Sequence, residues 1–217
     1  DFVNDYSNLG IILSDLDKLN EAESYLRKAI ELKPDFANAY SNLGIILKGL
    51  GKLNEAESST RKAIKLNPNF VDAHLNMGNI LIDLGKPSEA FNSYQKAMEA
   101  NPEDTNIYPF MTRLLKDSDL FQINKSRLIT ILKLLLDNNN VAHNDLFKAF
   151  NYIYKEKLIY NKEEKELSWL QNKKLKKIFN DDLMINSLKK MILKDPKWEL
   201  ILTRLRRETC HLIANEK

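Results

Sequence analysis

Leucine, glycine and a large side chain recur along the first hundred residues with two spacings at once, three to four residues inside a segment and 34 residues between segments. The eight residues Tyr40-Ser-Asn-Leu-Gly-Ile-Ile-Leu47 also stand at Tyr6–Leu13, and a looser copy begins at His74. Residues 1–34 laid over 35–68 agree at 25 of 34 positions, and residues 69–102 keep the frame with more drift. The pattern therefore defines three units of one motif, 1–34, 35–68 and 69–102, the signature of a stacked helical array.

Apolar positions at helical spacing predict two antiparallel helices per unit, in the middle copy about Asn38–Lys48 and Asn54–Leu66. Asp17, Gly51 and Gly85 fall between them, where a residue at positive φ reverses the chain in a few steps. Leu43, Gly44 and Leu47 share one face, and Ala56 and Ala63 offer small side chains from the second helix. Glycine inside a helix costs about 1 kcal/mol relative to alanine, so Gly44 predicts close helix approach. Pro34, Pro68 and Pro102 end the units. His74 takes the place of Tyr6 and Tyr40 and is expected to pack as they do, with no base or ligand partner.

Read as aromatic-x-x-Leu-Gly-x-x-Leu, then Ala-x-x-x-large-x-x-Ala, then Pro, the motif resembles the tetratricopeptide repeat. The first copy supplies Tyr6, Leu9, Gly10, Leu13, Ala22, Leu26, Ala29 and Pro34. The second supplies Tyr40, Leu43, Gly44, Leu47, Ala56, Thr60, Ala63 and Pro68, where Thr60 is small for its position. In the third stand His74, Met77, Gly78, Leu81, Ala90, Tyr94, Ala97 and Pro102. The resemblance implies an all-α solenoid and a function in binding other chains, with the first helices forming the inner wall of a superhelix.

Steps of four, three and four keep residues on one helix face, so Asn4, Asn8, Ile11 and Asp15 line up, away from the Leu–Gly stripe. Their counterparts are Asn38, Asn42, Ile45 and Gly49, then Asp72, Asn76, Asn79 and Asp83. As the inner wall of the array, Asn4, Asn8, Ile11, Asn38, Asn42, Ile45, Asn76 and Asn79 form the expected peptide-binding groove. An amide side chain both donates and accepts, which suits the backbone of an extended polypeptide; the same asparagines also suit hydrogen bonding between helices. The repeats are similar to those of the O-GlcNAc transferase superhelix, where periodic asparagines hold bound polypeptide. A clamp for acidic tails needs Lys or Arg in the groove; here Ser7, Ser41, Asn, Ile and Asp occupy it, which points to a neutral or mildly basic segment.

Extending the frame places Tyr108, Met111 and Leu115 at the aromatic and leucine positions, with Thr112 in place of Gly and Phe110 ending the asparagine row. A degenerate repeat or capping helix, about Thr105–Lys116, is expected within 103–120. A small helical domain follows over 121–217, with apolar stripes predicting helices near Lys125–Leu136, Asn144–Ile159 and Asp182–Leu193. A last helix begins at Asp195-Pro196 and carries the stripe Trp198, Ile201, Leu202 and Leu205. Residues 161–177 form a Lys/Glu-rich connector. Asp195–Arg207 resembles the helical spacer of bacterial tetratricopeptide proteins that precedes a methyltransferase-like domain.

Charge changes the picture only in the second half: residues 1–102 carry 11 Lys+Arg against 14 Asp+Glu, and the rest 22 against 16. The densest cluster, Lys173–Lys177, could meet phosphates, but dispersed lysines more often solvate a helix face. No stretch approaches the roughly 20 apolar residues of a membrane span. The single Cys210 makes no internal disulfide, and a reducing cytoplasm is the simplest compartment. Cys210 and His211, about 100° apart on a helix, make no metal pair. No nucleotide loop, nucleophile motif or ligand cluster appears, so catalytic residues, metal and cofactor are not expected. The sequence thus reads as a non-enzymatic scaffold for an extended protein or peptide segment; the alternatives are the recruiting arm of a larger transferase and RNA binding by the basic half. The chain opens on Asp1-Phe2 without an initiator Met, and the first unit has the composition of an interior one, so the array is expected to begin earlier.

Overall fold

The computed structural model describes residues 2–138, 141–159 and 181–190. All regular structure among them is helical, and the chain divides into two compact units between Leu114 and Leu115. In the first unit each repeat is a helix pair: α1 Phe2–Asp15 with α2 Leu19–Leu32, α3 Ala37–Gly49 with α4 Leu53–Leu66, and α5 Val71–Asp83 with α6 Pro87–Ala100. Each second helix also packs on the next first helix, and α1, α3 and α5 lie side by side. This is an all-α solenoid.

Sequence dictates how each pair turns. Asp17, Gly51 and Gly85 have φ of 59°, 74° and 70°, the left-handed residue with which such turns end a helix. The following Lys18, Lys52 and Lys86 N–H groups then donate back to Leu13, Leu47 and Leu81 carbonyls, each at 2.8 Å, capping otherwise orphan acceptors.

The repeat core is where the helical glycines act. Ala22, Ala29, Ala56, Ala63, Ala90 and Ala97 are fully buried. A β-carbon on Gly10 would stand 2.7 Å from Leu26 Cγ, on Gly44 2.1 Å from Thr60 Oγ1, and on Gly78 2.2 Å from Tyr94 Cε1. Each glycine is thus a notch for the large-position residue of the second helix. Small Thr60 meets this geometry at a cost, since its buried Oγ1 has no hydrogen-bond partner. His74 is buried, and its Nε2–H donates to the Pro68 carbonyl at 2.8 Å, so it packs as a core residue.

One frame further on, the Tyr108 hydroxyl donates to the Pro102 carbonyl in the same way, at 3.2 Å. The expected helix from Thr105 begins as a 3₁₀ turn, Thr105–Ile107, and becomes α7, Tyr108–Asp117, only afterwards. Pro109 explains the delay: lacking an N–H, it cannot donate to the Thr105 carbonyl, but it fits the first turn of a helix starting at Tyr108. Thr112, in the glycine position, turns its hydroxyl back onto the Tyr108 carbonyl at 2.9 Å.

The second unit contains α8 Lys125–Asp137, a 3₁₀ turn His143–Leu146 running into α9 Phe147–Ile159, and α10 Asp182–Lys190. Asn124 caps α8 by accepting from the Ser126 and Arg127 N–H groups. Leu128, Ile131, Leu132 and Leu135 of α8 and Phe150, Ile153 and Tyr154 of α9 are buried, so the α9 aromatics are core. Asp181 accepts from Leu183 N–H at 2.9 Å and from the Tyr154 hydroxyl at 3.0 Å, tying α10 to α9. The Lys/Glu-rich connector 161–177, the helix expected from Asp195, Cys210 and His211 lie outside the described residues.

Candidate functional site

The twelve row positions fall as helix periodicity demands. Asn4, Asn8, Ile11 and Asp15 are exposed on α1; Asn38, Ile45 and Gly49 are exposed and Asn42 half-buried on α3; Asp72 and Asp83 are exposed and Asn76 and Asn79 half-buried on α5. The opposite stripe of the same helices, Leu43, Leu47, Met77 and Leu81 among it, is buried. Ile11 and Ile45 are 42% and 44% exposed, so the row alternates amides with accessible apolar patches.

The amides are not equivalent. Asn76 Nδ2 donates to Ser41 Oγ at 3.0 Å, linking α5 to α3, and Asn79 Oδ1 accepts from the Tyr94 hydroxyl at 2.8 Å. Burial pushes that hydroxyl up to about 12, so it remains a donor at neutral pH. Asn8 and Asn42 side chains carry no hydrogen bond among the described residues. Of the row's six amides, Asn76 and Asn79 are thus committed to other helices' side chains, and Asn8 and Asn42, the period-mates of Asn76, are open. By period alone Asn8, Asn42 and Asn76 are equivalent, with peptide contact and bonding between helices both open to them; their neighbours are what differ.

Two further groups border the row. Phe110, one frame beyond Asn76, is 37% exposed and sits beside Tyr94 with ring centroids 6.0 Å apart. It adds an aromatic surface where the asparagines end. Lys48 pairs at 2.9 Å with Asp83, itself a row position on α5. A hollow of about 220 Å³ between α4, α5 and α6 is lined by Arg61, His74, Met77, Glu89 and Lys96, and none of the row residues lines it.

The array is also tied by a repeating ion-pair clasp. Glu23 accepts from Lys52 of the next unit at 2.8 Å and from Arg27 at 2.7 Å. Glu57 does the same with Lys86 at 2.9 Å and with Arg61. The lysine hydrogen bond, against the opposing pull of burial and helped by the arginine, holds both carboxyls below the ordinary value of 4.5. A carboxylate depressed on folding stabilises the fold above its unfolded pKa, and that share vanishes as pH falls through the lower folded value. The expected outcome is that Lys52→Met/Lys86→Met lowers the neutral melting temperature by a few degrees, since partly exposed pairs contribute about 0.2–1 kcal/mol each. The same variant flattens the loss of melting temperature between neutral and strongly acid pH, measured by thermal unfolding across that range.

Among the described residues no helix is long and apolar enough to cross a membrane, and no group of three or more His, Cys, Asp or Glu side chains could hold a metal. Models of the tetratricopeptide repeat match residues 6–36, 37–70 and 60–91. No curated protein matches in sequence. A Thermobaculum terrenum O-GlcNAc transferase structure is similar at 20% identity and a TM-score of 0.54, over 63% of this chain and 25% of that one. The Arabidopsis OM64 TPR domain is similar at 22% identity and a TM-score of 0.50, over 54% and 96%. The first TPR of Spaghetti (RPAP3), in a structure bound to HSP90 peptide SRMEEVD, is 21% identical with a TM-score of 0.49, over 52% and 89%. At these identities the likeness is one of fold, and it spans only a quarter of the transferase chain.

Proposed function

Tetratricopeptide repeats build residues 6–91 of this chain, and from that premise we propose that it is a protein-interaction scaffold that holds an extended polypeptide along the row of its first helices. The observation that carries this reading is the exposed face shared by α1 and α3, where open amides at Asn8 and Asn42 alternate with accessible Ile11 and Ile45. An extended chain offers an N–H and a C=O at each residue, which a free carboxamide can meet together. The isoleucines offer apolar contact to alternate side chains.

The row also sets what is bound. Lys48 is occupied by Asp83, and Asp15 and Asp72 are exposed within the row, so a neutral or mildly basic segment fits better than an acidic tail. Phe110 extends the face with an aromatic ring, which suits an apolar side chain at that end of the ligand.

The test is a fluorescence-anisotropy titration of the full chain with three labelled extended peptides of equal length, one neutral, one basic and one ending in acidic residues. The neutral or basic peptide binds at micromolar strength or weaker, and the acidic one more weakly still. Asn8→Ala/Asn42→Ala weakens binding by roughly tenfold, at about 0.5–1.5 kcal/mol per lost hydrogen bond, while the melting temperature stays unchanged. Those two positions are the informative ones, because Asn76→Ala would also break its bond to Ser41. Equal affinity of the double variant and the parent chain would rule out the amide row. The reading as a transferase-recruiting arm draws on Asp195–Arg207, outside the described residues, and the scaffold reading does not need it.

A further inference from the structure

We propose that the hollow between α4, α5 and α6 binds a basic amino acid, with a carboxylate at one end, an aliphatic stem, and a guanidinium or ammonium group at the other. The site lies apart from the row of first-helix residues, and the scaffold reading does not require it. At about 220 Å³ it is smaller than the roughly 300–1,000 Å³ of pockets for drug-sized ligands, and it suits one amino-acid-sized molecule. It departs from the groove one frame earlier at both ends.

In that earlier groove Arg27 of α2 reaches across to Glu55 of α4 at 3.2 Å. Arg61 and Glu89 hold the same positions one frame on, but Arg61 meets only Glu57 of its own helix, and Glu89 has no ion pair among the described residues. Glu89 is therefore an open carboxylate at a place where the chain elsewhere seats a guanidinium. Arg61, its charge met by Glu57, does not compete for it.

At the other end the ring changes. His74 packs as Tyr40 does one frame earlier, but it is the shorter side chain, and with its Nε2–H on the Pro68 carbonyl the other ring nitrogen, Nδ1, is an acceptor. Lys96 is exposed and makes no ion pair among the described residues. Glu89, Ser93 and Lys96 follow at steps of four and three, so one face of α6 carries a carboxylate and an ammonium group about 10 Å apart along the axis. Ile64, Met77 and Leu81 give the hollow its apolar lining. A basic amino acid matches this order: its carboxylate meets Lys96, its α-nitrogen donates to His74, its stem lies on Met77 and Leu81, and its cation meets Glu89. Arginine fits best, because its planar fork repeats at Glu89 what Arg27 does at Glu55. A free amino acid and the C-terminal residue of a peptide offer the same chemistry.

The experiment follows the Met77 methyl resonance by NMR while the full chain is titrated with L-arginine, with the tripeptide Gly-Gly-Arg, with agmatine, which lacks the carboxylate, and with L-norvaline, which lacks the cation. Arginine binds with a Kd on the order of 1 mM, and agmatine and norvaline bind roughly tenfold more weakly or worse. Glu89→Gln and Lys96→Gln each weaken arginine by roughly tenfold without moving the melting temperature, since both side chains are exposed. His74→Tyr, the residue of the earlier units, abolishes the shift; Tyr108, bonded to the Pro102 carbonyl, shows that a tyrosine keeps the structural bond. Asn8→Ala/Asn42→Ala leaves arginine binding unchanged, which separates this site from the amide row. Gly-Gly-Arg binding as well as arginine supports the site as one for chain ends, and its failure beside bound arginine supports one for the free amino acid. A Met77 resonance that arginine does not move overturns the proposal. So does equal affinity for arginine, agmatine and norvaline, or an arginine shift that survives both Glu89→Gln and Lys96→Gln.

Discussion

Gly78→Ala lowers the melting temperature of the repeat unit by about 5–10 °C, although alanine is the better helix former by about 1 kcal/mol. The new β-carbon would lie 2.2–2.7 Å from three atoms of the Tyr94 ring. That ring cannot swing aside freely: it is buried, its hydroxyl is bonded to Asn79, and Phe110 lies against it. Forced overpacking of this kind costs about 1–3 kcal/mol, and the fixed ring places the cost at the upper end, above the helix-propensity gain. Gly44→Ala is the informative comparison. There the obstacle is the single Oγ1 of Thr60, which a change of rotamer relocates, so the loss is smaller. Equal melting temperatures for Gly78→Ala and the parent chain, read by circular dichroism, would show that the notch is not needed.

The second large effect is expected at Leu26→Ala, with a loss of about 3–5 kcal/mol. Leu26 is fully buried and fills the notch of Gly10, its Cγ 2.7 Å from where a β-carbon would stand. Truncation leaves a cavity bounded by glycine, and the missing β-carbon removes the group that would otherwise partly fill it. For that reason the pair is coupled. Gly10→Ala alone is destabilising, because it collides with Leu26, but in the Leu26→Ala background the added methyl occupies vacated space and recovers about 1 kcal/mol or more. Denaturant melts of the two single variants and the double variant measure the coupling, and strictly additive losses would contradict the notch geometry.

These two predictions locate what was legible in the sequence. The 34-residue period set the units, and Asp17, Gly51 and Gly85 marked the turns, because a left-handed residue is a local requirement that few side chains tolerate. Gly10, Gly44 and Gly78 announced close helix approach, since glycine at a helical position needs a reason beyond the helix. Pro109 was equally visible, yet its consequence, a 3₁₀ start before α7, depended on which carbonyl was left without a donor.

The candidate face divides in the same way. That Asn8, Asn42 and Asn76 share one face follows from 3.6-residue periodicity, a property of the chain by itself. That Asn76 is committed to Ser41, that Asn79 holds Tyr94, and that Phe110 lies against Tyr94 were decided by contacts between helices. Position within one helix says where a side chain points; it does not say what stands opposite. One isoleucine of each first helix is the sharpest instance. Ile12, Ile46 and Ile80 are the same residue in the same local sequence frame, so local propensity assigns them one environment. Only the packing of whole helices, in which α2 covers α3 and α4 covers α5, makes two of them core and leaves the first open. Burial is a property of pairs of elements, and the tertiary structure alone decides it.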